Sequence, residues 1–241
     1  IIQKNLEEII YQYDFAPAKL SKVSFPLKLW KRVFNKVIDE SIDFGAYPNG
    51  KGELGLREEI AKYLISSRGV KCHANQVIIS NGFGDSMGLL AKMLKDNHKL
   101  FAMENPGYHI ASQIFENYGY TIDKININEN GICLKELNKS NAKIVYVTPS
   151  HHYPTGVSIP IANRLKLLEW ANNNEGIVIE DDYDSELSYS NRPIPSLQGL
   201  DNNQRVVYIG TFSKSLSPAL RVGYMVLPTF LVEKIDDYFD A

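Results

Sequence analysis

The chain has 241 residues, of which 44% are apolar and 22% charged, the balance of a globular protein large enough for one sizeable core. Its 26 basic and 28 acidic residues give a net charge of −2, so there is no basic field of the kind that grips nucleic acid, and no apolar run approaches the ~20 residues that span a bilayer. Two cysteines, Cys72 and Cys133, form neither a disulfide framework nor a metal-ligand spacing, which makes a reducing cytoplasm the expected compartment.

The opening stretch, IIQKNLEEII, lacks the basic start, long apolar core and small-residue cleavage site of a signal peptide and reads as a short helix. An irregular, proline-punctuated connector covers 13–26. A helix follows near 27–41, where Trp30, Phe34, Val37 and Ile38 recur at helical spacing. The turn-rich AYPNGKGELG leads into an amphipathic helix over 56–67 that closes at Gly69. The chain then alternates. Strands are expected over 76–80, 99–104, 120–125, 142–149, 176–181 and 205–210. Helices are expected over about 85–95, after Gly107, over 161–174 and over 229–239. Val- and Ile-rich strands alternating with helices imply an α/β fold, a mostly parallel sheet flanked by helices on both faces. Chemistry in such a sheet collects beyond the carboxyl ends of the strands, and the unusual residues of this chain do follow strands.

After the first of these strands, Asn81-Gly82-Phe83-Gly84-Asp85 opens a helix; its glycines let backbone N–H groups approach an anion at the helix N-terminus, although a plain tight turn has the same signature. Asn105-Pro106-Gly107-Tyr108 places an aromatic ring after the second strand. Ser150-His151-His152-Tyr153-Pro154-Thr155-Gly156 follows the strand over 142–149; adjacent histidines in an extended loop point apart, and no Cys or acidic residue stands at zinc-ligand spacing. Asp181, Asp182, Asp184 and Glu186 follow the next strand. They have two readings: a divalent-cation site, or a single carboxylate, Asp181, pairing with a protonated heterocyclic nitrogen while Tyr183 reaches the oxygen on the ring. Last comes Lys214, past the strand over 205–210, with Thr211 and Ser213 before it and Arg221 after it. An amine among phosphate partners suits a Schiff base with a phosphorylated aldehyde.

With these residues in view, the chain resembles the large domain of fold type I pyridoxal-phosphate enzymes, the aspartate aminotransferase superfamily. More narrowly it resembles the aminotransferase-like domain of MocR-type (GntR superfamily) transcriptional regulators, through SFPLKLWKRV, TPSHHYPTG, EDDYDSE and GTFSKSLSPALRVGY. The resemblance implies a connector and helix over 1–45 and a pyridoxal-phosphate-binding large domain over 46–241. It implies an aldimine on Lys214, Asp181 at the pyridine nitrogen, Tyr183 at the ring hydroxyl oxygen and Tyr108 stacked on the ring. The phosphate would lie against the backbone at Phe83 and Gly84 with Thr211, Ser213 and Arg221. Tyr47 matches the position from which a partner subunit reaches the phosphate, so a homodimer is expected.

Two departures stand out. Tyr153-Pro154-Thr155-Gly156 replaces the Asn-Pro-Thr-Gly of many aminotransferases, and Gly82-Phe83-Gly84-Asp85 replaces a small-residue and glutamine pattern. The winged-helix DNA reader of the regulators and the small C-terminal domain of the superfamily are not recognisable in this sequence. The expected function is therefore an effector-sensing domain, in which an amino acid or amine, or pyridoxal phosphate itself, is the ligand. DNA would be read through a winged helix elsewhere in the protein, and no membrane is involved. The alternative is an aminotransferase acting on an amino acid and a 2-oxo acid. A metal-dependent hydrolase built on the acids around Asp181 is a third reading.

Overall fold

The computed structural model describes residues 12–13, 20–21, 24–39, 45–187 and 195–239; the expected opening helix and most of the connector lie outside them. The elements begin with α1 (Leu27–Asp39), α2 (Leu54–Arg68), β1 (Val77–Ser80), α3 (Phe83–Leu94), β2 (Leu100–Asn105) and α4 (His109–Asn117). Next come β3 (Thr121–Asn128), β4 (Gly131–Ile132), α5 (Leu134–Leu137), β5 (Ile144–Val147), α6 (Ile161–Asn173) and β6 (Ile177–Asp182). The chain continues through α7 (Leu197–Leu200), β7 (Val206–Thr211), β8 (Gly223–Val226) and α8 (Thr229–Phe239).

Among the described residues the strands form one sheet in the order β1-β8-β7-β6-β5-β2-β3-β4. The pairs β2–β3, β2–β5, β5–β6 and β6–β7 are parallel, so the sheet is mostly parallel, as its Val- and Ile-rich strands imply. The edges depart from that pattern, because β8 lies antiparallel to both β1 and β7 and β4 antiparallel to β3. None of β8, β4, α5 and α7 is among the expected elements. β8 is four apolar residues directly behind the polar rim motif, too short a run for periodicity to flag. α3 starts at Phe83, ahead of the expected 85, so Phe83 and Gly84 lie in its first turn.

Burial follows the period of two that a strand imposes. Ile144 and Tyr146 of β5 pack into one core with Met87 and Leu90 of α3 and Phe115 of α4. Val145 and Val147 face the other way, toward Leu167 and Trp170 of α6. α2 covers the β1–β8–β7 end through Ile60 and Leu64 against Val77, Tyr208 and Tyr224, and it closes on Gly69 in the left-handed region (φ 66°). Apolar residues of α1, by contrast, including Val33, Phe34 and Val37, are exposed.

Buried polar side chains tie the loops to this frame. Arg164, fully buried, donates to the carbonyls of Ile159, Pro195 and Pro149 at 2.9, 2.7 and 2.7 Å. It thereby joins the loop after β5 to the approach to α7. Replacing it strands the buried carbonyls of Ile159 and Pro149, each costing on the order of 1–3 kcal/mol. Arg164→Met is expected to lower stability by about 3 kcal/mol or more, read as a drop in the urea midpoint without a change in slope.

Candidate functional site

The sheet order sets where the unusual residues meet. Because β1 and β7 are both antiparallel to β8, they run the same way as β2, β5 and β6, and all of these strands finish at one rim. The reversal of strand order between β2 and β5 is the topological switch point, where α/β sheets bind ligands. The 81–85 turn, the 105–108 loop, the 148–156 loop, Asp181 to Tyr183, and the Thr211 to Lys214 segment therefore share one rim, and Arg221 lies just before β8 re-enters there.

At its centre is a buried carboxylate. Asp181 is 5% exposed, and the Tyr146 hydroxyl donates to its Oδ2 at 2.5 Å. Burial pushes Asp181 up to about 7; the Tyr146 donation pulls it down, and the charges of Asp182, Asp184 and Glu180 push it up. A second buried acid, Glu104, stands at the end of β2, and burial lifts it to about 7 as well. Its Oε2 accepts from the Thr148 N–H and hydroxyl, both at 3.0 Å, and lies 3.6 Å from His152 Nε2. Burial lowers the His152 pKa, and a hydrogen bond with the Pro106 backbone opposes that shift.

Rings line the approach to Asp181. Tyr108, half-buried, meets Phe83 edge-on at 5.3 Å and Tyr153 edge-on at 5.5 Å. Phe83 in turn lies 6.1 Å from Tyr146. Burial and then the Asp181 charge raise the Tyr108 phenol, while Arg221 lowers it. Tyr108 thus senses both the carboxylate and the guanidinium.

Opposite charge gathers where α3 begins. Gly82, at φ 92°, adopts a conformation that few L side chains tolerate. A Cβ there would lie 2.6 Å from Arg221 Nη2. Arg221 itself holds φ 52° and donates from Nη2 to the Asn81 carbonyl at 3.3 Å. Thr211 and Ser213 share a hydrogen bond between hydroxyls at 2.8 Å, and the Ser213 N–H donates to Thr211 Oγ1 at 3.1 Å. The N-terminus of a twelve-residue helix, a guanidinium and two hydroxyls make a cradle suited to a phosphate. Asp85 does not face outward as a further contact: its Oδ2 accepts from the Asn81 N–H at 2.9 Å.

Lys214 follows β7 at the same rim and is half-buried. The Tyr183 hydroxyl donates to the His151 carbonyl at 3.0 Å. Tyr47 is fully exposed (101%) and lies in the turn before α2. The acids of the 181–186 run diverge. Asp182 Oδ2 accepts from Arg68 at 2.8 Å and Tyr208 at 2.6 Å. Asp184 lies 2.9 Å from His151 Nδ1, and Glu186 accepts from Tyr63 at 3.1 Å. The adjacent histidines also part, since His152 Nδ1 lies 2.8 Å from Thr155 Oγ1.

Tyr146 and Glu104 are functional candidates that the sequence does not single out. Both sit within apolar strand runs and read as core; the available signal is that a buried tyrosine needs a hydrogen-bond partner and a buried glutamate rarely goes unpaired.

Residues 13–238 match the family described as aminotransferase class I and II. The chain is 40% identical over 235 residues to the HTH-type transcriptional regulator YdeL of Bacillus subtilis (strain 168), covering 97% of this chain and 50% of that protein. It is 36% identical over 220 residues to the probable rhizopine catabolism regulatory protein MocR of Rhizobium meliloti, covering 91% and 45%. The chain thus spans about half the length of the curated relatives it matches. Among solved structures, the kynurenine aminotransferase of Pyrococcus horikoshii superposes with a TM-score of 0.81 at 29% identity, over 89% of this chain and 55% of that one. These findings imply pyridoxal phosphate as the cofactor, and the chain belongs to the aminotransferase class I and II family.

Proposed function

We propose that the chain is the pyridoxal-phosphate-binding, effector-sensing part of a MocR-type transcriptional regulator. The observation that carries the cofactor assignment is Asp181, a carboxylate buried at the switch-point rim and held from the side by Tyr146. Similarity to HTH-type regulators over nearly the whole chain supports the regulatory reading. In this proposal DNA is read by a separate helix-turn-helix domain, the protein works in the cytoplasm as a homodimer, and an amino acid or amine, or the cofactor itself, is the effector. Among the described residues no helix is long and apolar enough to cross a membrane.

The residues present fit the cofactor. When bound, pyridoxal phosphate supplies an aldehyde that captures amines and a ring that withdraws electrons while its nitrogen is protonated. Lys214 would hold it covalently through Nζ. Asp181 would hold the proton on the ring nitrogen. Tyr108 would stack on the ring. The phosphate would take the N–H groups at Phe83 and Gly84, the hydroxyls of Thr211 and Ser213, and the Arg221 guanidinium. Tyr183 would exchange the His151 carbonyl for the ring oxygen as its acceptor. Tyr47 would reach the phosphate held by a second copy, a role that suits a side chain fully exposed on its own subunit. Sensing then requires an effector with different affinity for two states of the protein, not turnover.

The aminotransferase reading is favoured by one observation, the close superposition on a kynurenine aminotransferase. It uses the same residues and asks Lys214 to move a proton as well. Sustained turnover of an amino acid with a 2-oxo acid by the complete protein selects this reading. DNA binding that responds to an amine selects the regulator.

Borohydride reduction after mixing with pyridoxal phosphate is expected to leave the cofactor on the peptide containing Lys214, and Lys214→Ala is expected to carry none. A reduced adduct that persists elsewhere in the variant, or none in the wild type, refutes the cofactor assignment.

The buried acids also give stability a pH dependence. Asp181 and Glu104 are raised from 3.8 and 4.5 to about 7 in the folded chain. Each therefore contributes stability that is fully present below its unfolded pKa and is lost as pH rises through about 7. The cofactor-free protein is expected to melt at a higher temperature at pH 5 than at pH 8. Asp181→Asn should flatten that slope, and an unchanged slope contradicts the burial argument.

A further inference from the structure

We propose that Tyr146 is a positioning residue for the cofactor: its hydroxyl, oriented by the rings of Phe83 and Phe101, fixes Asp181 as the ionised partner of the pyridine nitrogen. The inference rests on the pyridoxal-phosphate reading above and concerns how that site keeps its charge.

The register explains why a tyrosine is needed here. Tyr146 lies opposite Ile179 on β6. Asp181, two residues further along, projects to the same face as Ile179, so it is the diagonal neighbour of Tyr146. Such neighbours are ~7–8 Å apart, within reach only of long side chains. Tyr146 is 1% exposed, and its donation to Asp181 Oδ2 spans 2.5 Å. With one carboxylate oxygen taken by the phenol, the other is left for the ring nitrogen.

The ring of Tyr146 is itself held. Phe83 meets it at 6.1 Å and Phe101 at 6.4 Å, and Phe101 stacks on Phe115 at 3.8 Å. Phe83 is the first residue of α3, so one side chain joins the phosphate turn to the phenol that orients the carboxylate. The two ends of the cofactor's footprint are thereby set by a single packed chain of rings. A phenol also suits the chemistry of this position. It donates a hydrogen bond without adding a charge, so it stabilises the carboxylate but leaves the nitrogen as the one cationic partner.

The test uses pyridoxal phosphate labelled with 15N in the ring and reads the nitrogen resonance of the bound cofactor. The wild type is expected to show a protonated ring nitrogen. In Tyr146→Phe, Asp181 becomes the stronger base and draws the proton off, so the resonance should move toward neutral pyridine and the affinity should fall about tenfold. A folded Tyr146→Phe protein with unchanged resonance and affinity overturns the positioning role. Failure of the wild type to bind the label instead overturns the cofactor reading on which the role rests. Should Tyr146→Phe not fold, fluorotyrosine at position 146 decides. Its more acidic phenol should donate more strongly and lower the pH at which the Asp181 carboxyl titrates in the cofactor-free protein, read from its 13C resonance, and an unchanged titration overturns the proposal.

Discussion

The rim is organised around one unfavourable burial. A carboxylate enclosed as fully as Asp181 loses solvation worth several kcal/mol unless it is neutralised or paired. The Tyr146 hydroxyl offsets part of that loss, and the remainder appears as a pKa lifted to about 7. A cation delivered to the second oxygen would complete the compensation. Binding of a protonated ring and ionisation of Asp181 are therefore linked, and each favours the other. Glu104, Asp182, Asp184 and Glu180 sharpen the demand, because a further negative charge nearby makes an unpaired Asp181 less favourable still.

The same strand shows how this burial is kept in place. Glu180, Asp181 and Asp182 are consecutive and buried, and strand geometry sends alternate side chains to opposite faces. Glu180 accepts from the N–H groups of Leu197 and Gln198 at 2.8 and 2.9 Å, anchoring the start of α7. Asp182 receives Arg68 and Tyr208, and Arg68 continues to Ser150 at 2.8 Å, in the loop that carries Tyr153. Asp181 turns to the other face and to the site. Three acids in a row thus divide into two structural anchors and one carboxylate, Asp181, that turns to the face of Tyr146. This arrangement also accounts for the acid run that suggests a cation site in the bare sequence.

Much of this is legible in the amino-acid sequence. Continuous Val and Ile runs such as those of β5 and β6 identify buried parallel strands, and the switch-point rule then locates the chemistry. The glycine at position 82 and the guanidinium of Arg221 can be noticed in the sequence, but a glycine after a strand has the signature of a plain tight turn as well, and only the fold brings the two together. What stayed hidden was everything that depends on register. Tyr146 sits in an apolar run, and only the pairing of β5 with β6 makes it the diagonal neighbour of Asp181. β8 was hidden because its four residues carry no periodicity of their own; it exists because the chain turns back at Arg221 and pairs between β1 and β7. Arg68 and Arg164 look like surface charges on amphipathic helices, and their burial follows from carbonyls and carboxylates brought close by the fold.

A sensing role and a transaminase role differ less in this site than in what must follow capture of an amine. Either role gains from a protonated ring, which withdraws electrons and makes the aldehyde carbon more open to attack by an amine. A catalyst must additionally lower the barrier to moving a proton, and only interactions stronger in the transition state do so. A sensor is free of that second requirement and is judged on affinity differences between states. Selection for sensing would therefore preserve Asp181, the donor that keeps it ionised, the phosphate cradle and the lysine. It would leave room for change in the loop that trims the ring's other contacts. Tyr153, where many aminotransferases carry asparagine, would be a change of that kind, and in this structure its ring meets Tyr108 edge-on.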